Sequence, residues 1–186
     1  ADALNYLGSI FYNGLSKSKD IKQAIAYYKQ AVEKGDRKYA PANLGNIYYY
    51  ELAYKDYAKA YSYFKIAAEN ENTYAMNTIA YMKALAKGTE HSLVEALYHI
   101  NKAINRSPDI IDFWDSKGEI LLMSGRLDDA KLILLNMIDR DSLGVENLKP
   151  KSNFLKAMQY NTKEEIFIKL LELGDCINSP YILGDF

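Results

Sequence analysis

The chain has 186 residues, 49% hydrophobic and 25% charged, which is the balance of an ordinary soluble globular protein and excludes a disordered polar chain. A net charge of −1 offers no overall basic excess for nucleic acid. A single cysteine, Cys176, excludes an internal disulfide and any multi-cysteine metal site, and no apolar run approaches the roughly 18 residues that span a bilayer.

In chain order, the first helical segment carries Leu7-Gly8 and Phe11, and the second runs from Ile21 to Glu33 with apolar residues at helical spacing behind Asp20, a good N-cap. The next pair repeats this arrangement: Leu44-Gly45 with Tyr48, then Tyr57 to Glu69 behind Asp56. A third pair has Ile79-Ala80, then Leu93 to Asn105 behind Ser92. Ser107-Pro108 is expected to open the seventh helix, since proline suits the first helical position. That helix contains Trp114, Gly118 and Leu121, and residues 125–130 form a short turn into the eighth. Beyond it, residues 143–150 read as a loop ending at Pro150, followed by a helix near Asn153 to Gln159. Thr162-Lys163-Glu164-Glu165 has the capping-box form and launches a last helix through Leu173, stopped by Gly174. The tail from Cys176 to Phe186 gives no readable conformation.

These elements share one register. Ala24/Tyr28/Ala31, Ala60/Phe64/Ala67, Ala96/Ile100/Ala103 and Ala130/Leu134/Met137 have leading alanines 36, 36 and 34 residues apart, the length of a two-helix repeat. Gly8, Gly45, Ala80 and Gly118 occupy one slot in the preceding helices, where a minimal side chain lets the two helices of a pair lie close. The expected fold class is all-α, a right-handed α-α superhelix of antiparallel helix pairs. It forms one domain over 1–186, with repeats at about 1–36, 37–72, 73–107 and 108–142 and capping helices at about 150–175.

At these residues the chain resembles the tetratricopeptide repeat superfamily. Its first three units are similar to the Sel-one-like subfamily, through Ala3, Leu7, Gly8, Phe11, Gly14, Asp20, Ala24, Tyr28, Ala31 and Gly35 in the first and Ala42, Leu44, Gly45, Tyr48, Ala60, Phe64 and Ala67 in the second. From the glycine slot to the helix B alanine is 16, 15 and 16 residues in those units but 12 in the fourth. The longer spacing inserts about one helical turn, whereas the fourth unit is similar to an ordinary tetratricopeptide unit. The resemblance implies a scaffold whose first helices line a concave groove. Counting from the glycine slots, the implied groove residues are Asn5, Ser9, Tyr12 and Asn13, then Tyr39, Asn43, Asn46, Tyr49 and Tyr50. Tyr74, Asn77, Thr78, Tyr81 and Leu85 follow in the third unit, and Asp112, Asp115, Ser116 and Glu119 in the fourth.

Asparagine both donates and accepts, so such a ladder can grip peptide backbone without regard to side chain, and tyrosine adds flat contact area of low entropy cost. The alternative is that Tyr and Asn reflect a biased coding composition and pack between helices. Residues 107–148 hold nine Asp/Glu against four Lys/Arg, while 1–70 hold seven against ten, so Asp112, Asp115 and Glu119 favour a partner segment carrying Lys or Arg. The superfamily's carboxylate clamp needs Lys and Arg in groove slots, and these slots hold none.

Catalysis has little to draw on. His91 and His99 lack H-E-x-x-H spacing and read as surface or inter-helix residues; Cys176 reads as a tail thiol. No catalytic residue, metal ligand or cofactor is expected. The expected function is non-catalytic binding of a protein or peptide, with no nucleic acid and no membrane insertion. A peptide-sensing regulatory fragment of a larger protein and a toxin-neutralising immunity protein are the alternatives, with a small-molecule-binding or hydrolytic protein behind them. A homodimer through the last-repeat face is compatible with the sequence. Cytoplasmic location fits best, and a start at Ala1 rather than Met keeps a processed secreted or periplasmic form open.

Overall fold

A computed structural model describes residues 1–15 and 18–140, with side chains described through Ile133. The expected closing helices and tail lie outside the described residues, as do the side chains of Leu134 and Met137. Among the described residues there are eight α-helices and no strand: α1 (Asp2–Asn13), α2 (Ile21–Glu33), α3 (Tyr39–Tyr50), α4 (Tyr57–Glu69), α5 (Thr73–Ala84), α6 (Leu93–Arg106), α7 (Ile111–Met123) and α8 (Leu127–Arg140). A short 3₁₀ turn, Leu52–Tyr54, precedes α4. The chain divides into two compact units, Ala1–Arg106 with three helix pairs and the remainder from Ser107, in which α7 packs on α8.

The glycine slot is a contact surface in the first unit. A Cβ on Gly8 would stand 2.5 Å from Tyr28 Cε1, and one on Gly45 would stand 2.7 Å from Phe64 Cε1. Both rings are buried. In the third pair the slot holds Ala80 and its counterpart is Ile100, both fully buried: the larger slot residue goes with the smaller side chain. Ala24, Ala31, Ala60, Ala67, Ala96 and Ala103 are likewise fully buried, because helices this close leave room for a methyl group only.

The inserted turn between first and second helices is tied down identically in each pair. The backbone N–H groups of Asp20, Asp56 and Ser92 donate to the carbonyls of Phe11, Tyr48 and Lys83, at 2.9, 2.8 and 3.0 Å. Each of these carbonyls lies three residues past its slot. The same three residues cap the helix that follows, accepting from Gln23 N–H (2.9 Å), Lys59 N–H (3.0 Å) and Glu95 N–H (3.2 Å). In the second unit α7 and α8 are joined by residues 124–126 alone, shorter than the expected turn over 125–130, because α8 already starts at Leu127.

α7 begins at Ile111 rather than at Pro108. Residues 107–110 instead form a turn, with Ile110 N–H donating to the Ser107 carbonyl (3.3 Å). The Pro108 carbonyl accepts from Trp114 Nε1 (2.8 Å), so this proline anchors the indole and does not start the helix.

Candidate functional site

The first helices of the unit 1–106 are two-sided. On α3, Ala40, Leu44 and Ile47 are buried to 1% exposure or less, whereas Tyr39 and Tyr50 are 55% and 62% exposed. On α5, Ala75, Met76, Ile79, Ala80 and Met82 are buried, and Tyr74 is 62% exposed. Tyr39 and Tyr74 stand six residues before their slots, so one register position on successive first helices presents a solvent-facing tyrosine. Asn46 and Tyr81, each one residue past the slot, are half-buried.

Other groove candidates have protein partners. Asn43 Nδ2 donates to Asn5 Oδ1 (2.9 Å), joining α1 to α3. The Ser9 hydroxyl donates to the Asn5 carbonyl (3.2 Å) and lies 3.1 Å from the Tyr28 hydroxyl on α2. Tyr12 lies beneath Lys19, whose Nζ is 4.5 Å from the ring centroid and 2.7 Å from Glu51 Oε1. Burial, reinforced by hydrogen bonding to Glu51, pushes the Tyr12 phenol up to about 12. Hydrogen bonds from Lys19, the larger effect, and Tyr12 hold Glu51 below the usual carboxylate range. This trio pins the turn after α1 to the end of α3. Asn77 is half-buried and its Oδ1 meets no partner.

Unit by unit, the acidic candidates sit on α7, with Asp112 exposed, Asp115 and Glu119 half-buried and Ser116 buried. The Ser116 hydroxyl donates to the Asp112 carbonyl at 2.7 Å. Asp128 and Asp129 add charge in the first turn of α8. Among the described residues, no group of three or more His, Cys, Asp or Glu is placed to hold a metal, and no helix is long and apolar enough to cross a membrane.

Two residues that sequence reasoning passed over organise the first helices. Asp36 Oδ1 accepts from Lys38 N–H (2.9 Å) and Tyr39 N–H (2.8 Å), and its Oδ2 accepts from Ala40 N–H (3.1 Å). Its counterpart 36 residues on, Asn72, caps Ala75 N–H (2.9 Å) and donates from Nδ2 to the Lys38 carbonyl (3.0 Å). The recurrence of Asp36 and Asn72 at the repeat spacing was the available signal.

The profile of the Sel1 repeat matches residues 1–36, 39–72 and 73–107, more than half of the chain and in phase with its three helix pairs. The chain belongs to the Sel1 repeat family. Sel1 repeats generally act as non-catalytic scaffolds for protein–protein interaction. Two solved structures share the fold: a Sel1 repeat protein from Oxalobacter formigenes and a protective antigen of uropathogenic Escherichia coli strains that displays an SLR fold. The first is 18% identical with a TM-score of 0.68, over 94% of this chain and 72% of that one. The second is 21% identical with a TM-score of 0.59, over 92% of this chain and 40% of that one. No curated protein is matched by the sequence.

Proposed function

We propose that the chain is a non-catalytic binding module that holds a protein segment along the face built by the first helices of the unit Ala1–Arg106. One observation carries the reading: Tyr39 and Tyr74, at the same register on α3 and α5, each expose more than half their surface from helices whose opposite sides are dry. A tyrosine held by its helix loses little entropy on contact and offers both apolar area and a hydroxyl. Asn46 and Tyr50 extend that face on α3. Ser9, Asn5 and Asn43, bonded within the protein, shape its floor instead of meeting a partner directly. In the second unit, taken by itself, the acidic α7 set of Asp112, Asp115 and Glu119 favours contact with Lys or Arg.

The test begins with capture from a lysate, identification by mass spectrometry, and mapping of the bound segment on overlapping peptides. Binding is then measured by calorimetry for wild type, for Tyr39→Ser/Asn46→Ala/Tyr50→Ser, and for Tyr98→Ser as a control on an exposed residue of α6. The proposal expects at least about tenfold weaker binding for the triple variant and unchanged binding for the control. Equal affinity in all three proteins would move the site off this face.

A further inference from the structure

In the repeat register, the facing positions of α2 and α4 (the first seam) correspond to those of α4 and α6 (the second seam), 36 residues on, and can be compared directly. In the first seam four corresponding positions hold Ile25, Val32, Tyr63 and Ile66; in the second they hold Tyr61, Ala68, His99 and Lys102. Ile25, Val32 and Tyr63 pack against the buried core of the first two pairs. In the second seam a valine has become alanine, an isoleucine lysine and a tyrosine histidine. There the structure has a cavity of about 80 Å³, lined by Tyr61, Lys65, Ala68 and Glu69 from α4, Met76 and Ile79 from α5, and His99 and Lys102 from α6.

The polar groups of this cavity are mostly donors. His99 is half-buried and its Nδ1 is buried without a partner. A neutral imidazole has one N–H and one bare nitrogen, and both nitrogens donate once the ring takes up a proton, so the unpartnered Nδ1 can serve a bound anion as an N–H donor. The Lys65 and Lys102 ammonium groups and the Tyr61 hydroxyl are further donors; Glu69 is the only carboxylate among the lining residues. Nearby Lys83 is committed to Glu95 at 2.6 Å. The lining therefore carries one net positive charge above an apolar floor of Ala68, Met76 and Ile79. The volume is about half the ~150 Å³ that accommodates benzene, which suits an anion of roughly three to five non-hydrogen atoms.

We infer that the seam between α4 and α6 is a binding site for a small carboxylate, its oxygens met by Lys102, Lys65 and His99 and its short carbon stem by the apolar floor. The carboxylate can come from a free short-chain acid or from an acidic side chain on a polypeptide.

His99 imidazole resonances report on the site. They are followed by NMR during titration with sodium acetate, with N-acetyl-aspartate N-methylamide, and with sodium chloride at matched ionic strength. The expected result is a saturable shift with one or both carboxylates, with a dissociation constant on the order of 1 mM. The His99 pKa is expected to rise on binding, because a neighbouring anion favours imidazolium. Acetate alone saturating identifies a free acid; the aspartate derivative alone identifies a polypeptide carboxylate. Ala68→Val/Lys102→Ile, which copies the first seam, is expected to weaken the effect at least tenfold. Lys102→Gln, which keeps polarity and removes charge, gives an independent reading should the double variant not fold. Shifts identical to those in chloride, or saturation unchanged in these variants, would overturn the proposal.

Discussion

Gly45 lies directly beneath the ring of Phe64, so close that a Cβ there would stand 2.7, 2.8 and 2.9 Å from three of its ring carbons. Phe64 is 1% exposed and has little room to yield. Gly45→Ala should therefore destabilise by about 1–3 kcal/mol through overpacking, although alanine is the better helix former. Adding Phe64→Ile reproduces the Ala80/Ile100 pairing of the third repeat and should recover much of the loss. A double-mutant cycle by urea unfolding measures this, with a favourable coupling on the order of 1 kcal/mol expected; strict additivity would contradict the size-matching account.

Asp36 satisfies three backbone N–H groups at the start of α3. Asp36→Ala strands those donors and should cost about 1–3 kcal/mol. Asp36→Asn keeps two acceptor sites on one oxygen, copies the residue used before α5, and should lose less. Chemical denaturation of the two variants gives the order.

Alkaline stability has a definable window. Tyr12 is raised from 10.0 to about 12 in the folded protein, first by burial and then by Glu51, so the unfolded chain releases this proton first as pH rises. The contribution is intact below pH 10 and disappears as pH climbs towards 12. Melting temperatures across this range should fall less steeply for Tyr12→Phe than for wild type. An identical slope would show that titration of the Tyr12 phenol does not couple to folding.

On the acid side, burial is the main cause of the lowered His99 pKa, aided by Lys102 and Lys83 and opposed by Glu95. The unfolded histidine, titrating near 6.5, takes up a proton before the folded one does. Stability should therefore decline as pH falls from 7 through 6.5 towards the lower folded value. His99→Tyr, the residue at the equivalent position of the second repeat, should flatten thermal stability between pH 7 and 5.5.

The local signals of the fold were legible in the sequence. Asp20, Asp56 and Ser92 stand beside the helices they cap, and apolar spacing alone marked α2, α4 and most of α6. Asp36 escaped because it precedes α3 by three residues and reaches forward over Arg37 and Lys38, whereas a cap is normally sought in contact with the helix. Pro108 was misleading because its helix-start signal is local, while the turn that contains it is held in part by the indole of Trp114 further along. For the candidate groove, counting from the glycine slots identified an exposed register on α3 and α5. It could not tell that Ser9 would meet Tyr28 or that Asn43 would bond Asn5, since those pairings depend on how helices distant in sequence are rotated against one another.

Asn72 has a consequence for how the first unit comes apart. Its side chain holds the opening turn of α5 while donating to the Lys38 carbonyl at the opening of α3, like a rivet through two successive rungs. Stability in repeat proteins is divided between the units and the interfaces joining them, and this bond places part of the interface strength in one amide. Replacing Asn72 by Asp would preserve the cap and remove the rivet, turning a joint between two hairpins into a fault line at which hydrogen exchange would first report partial opening.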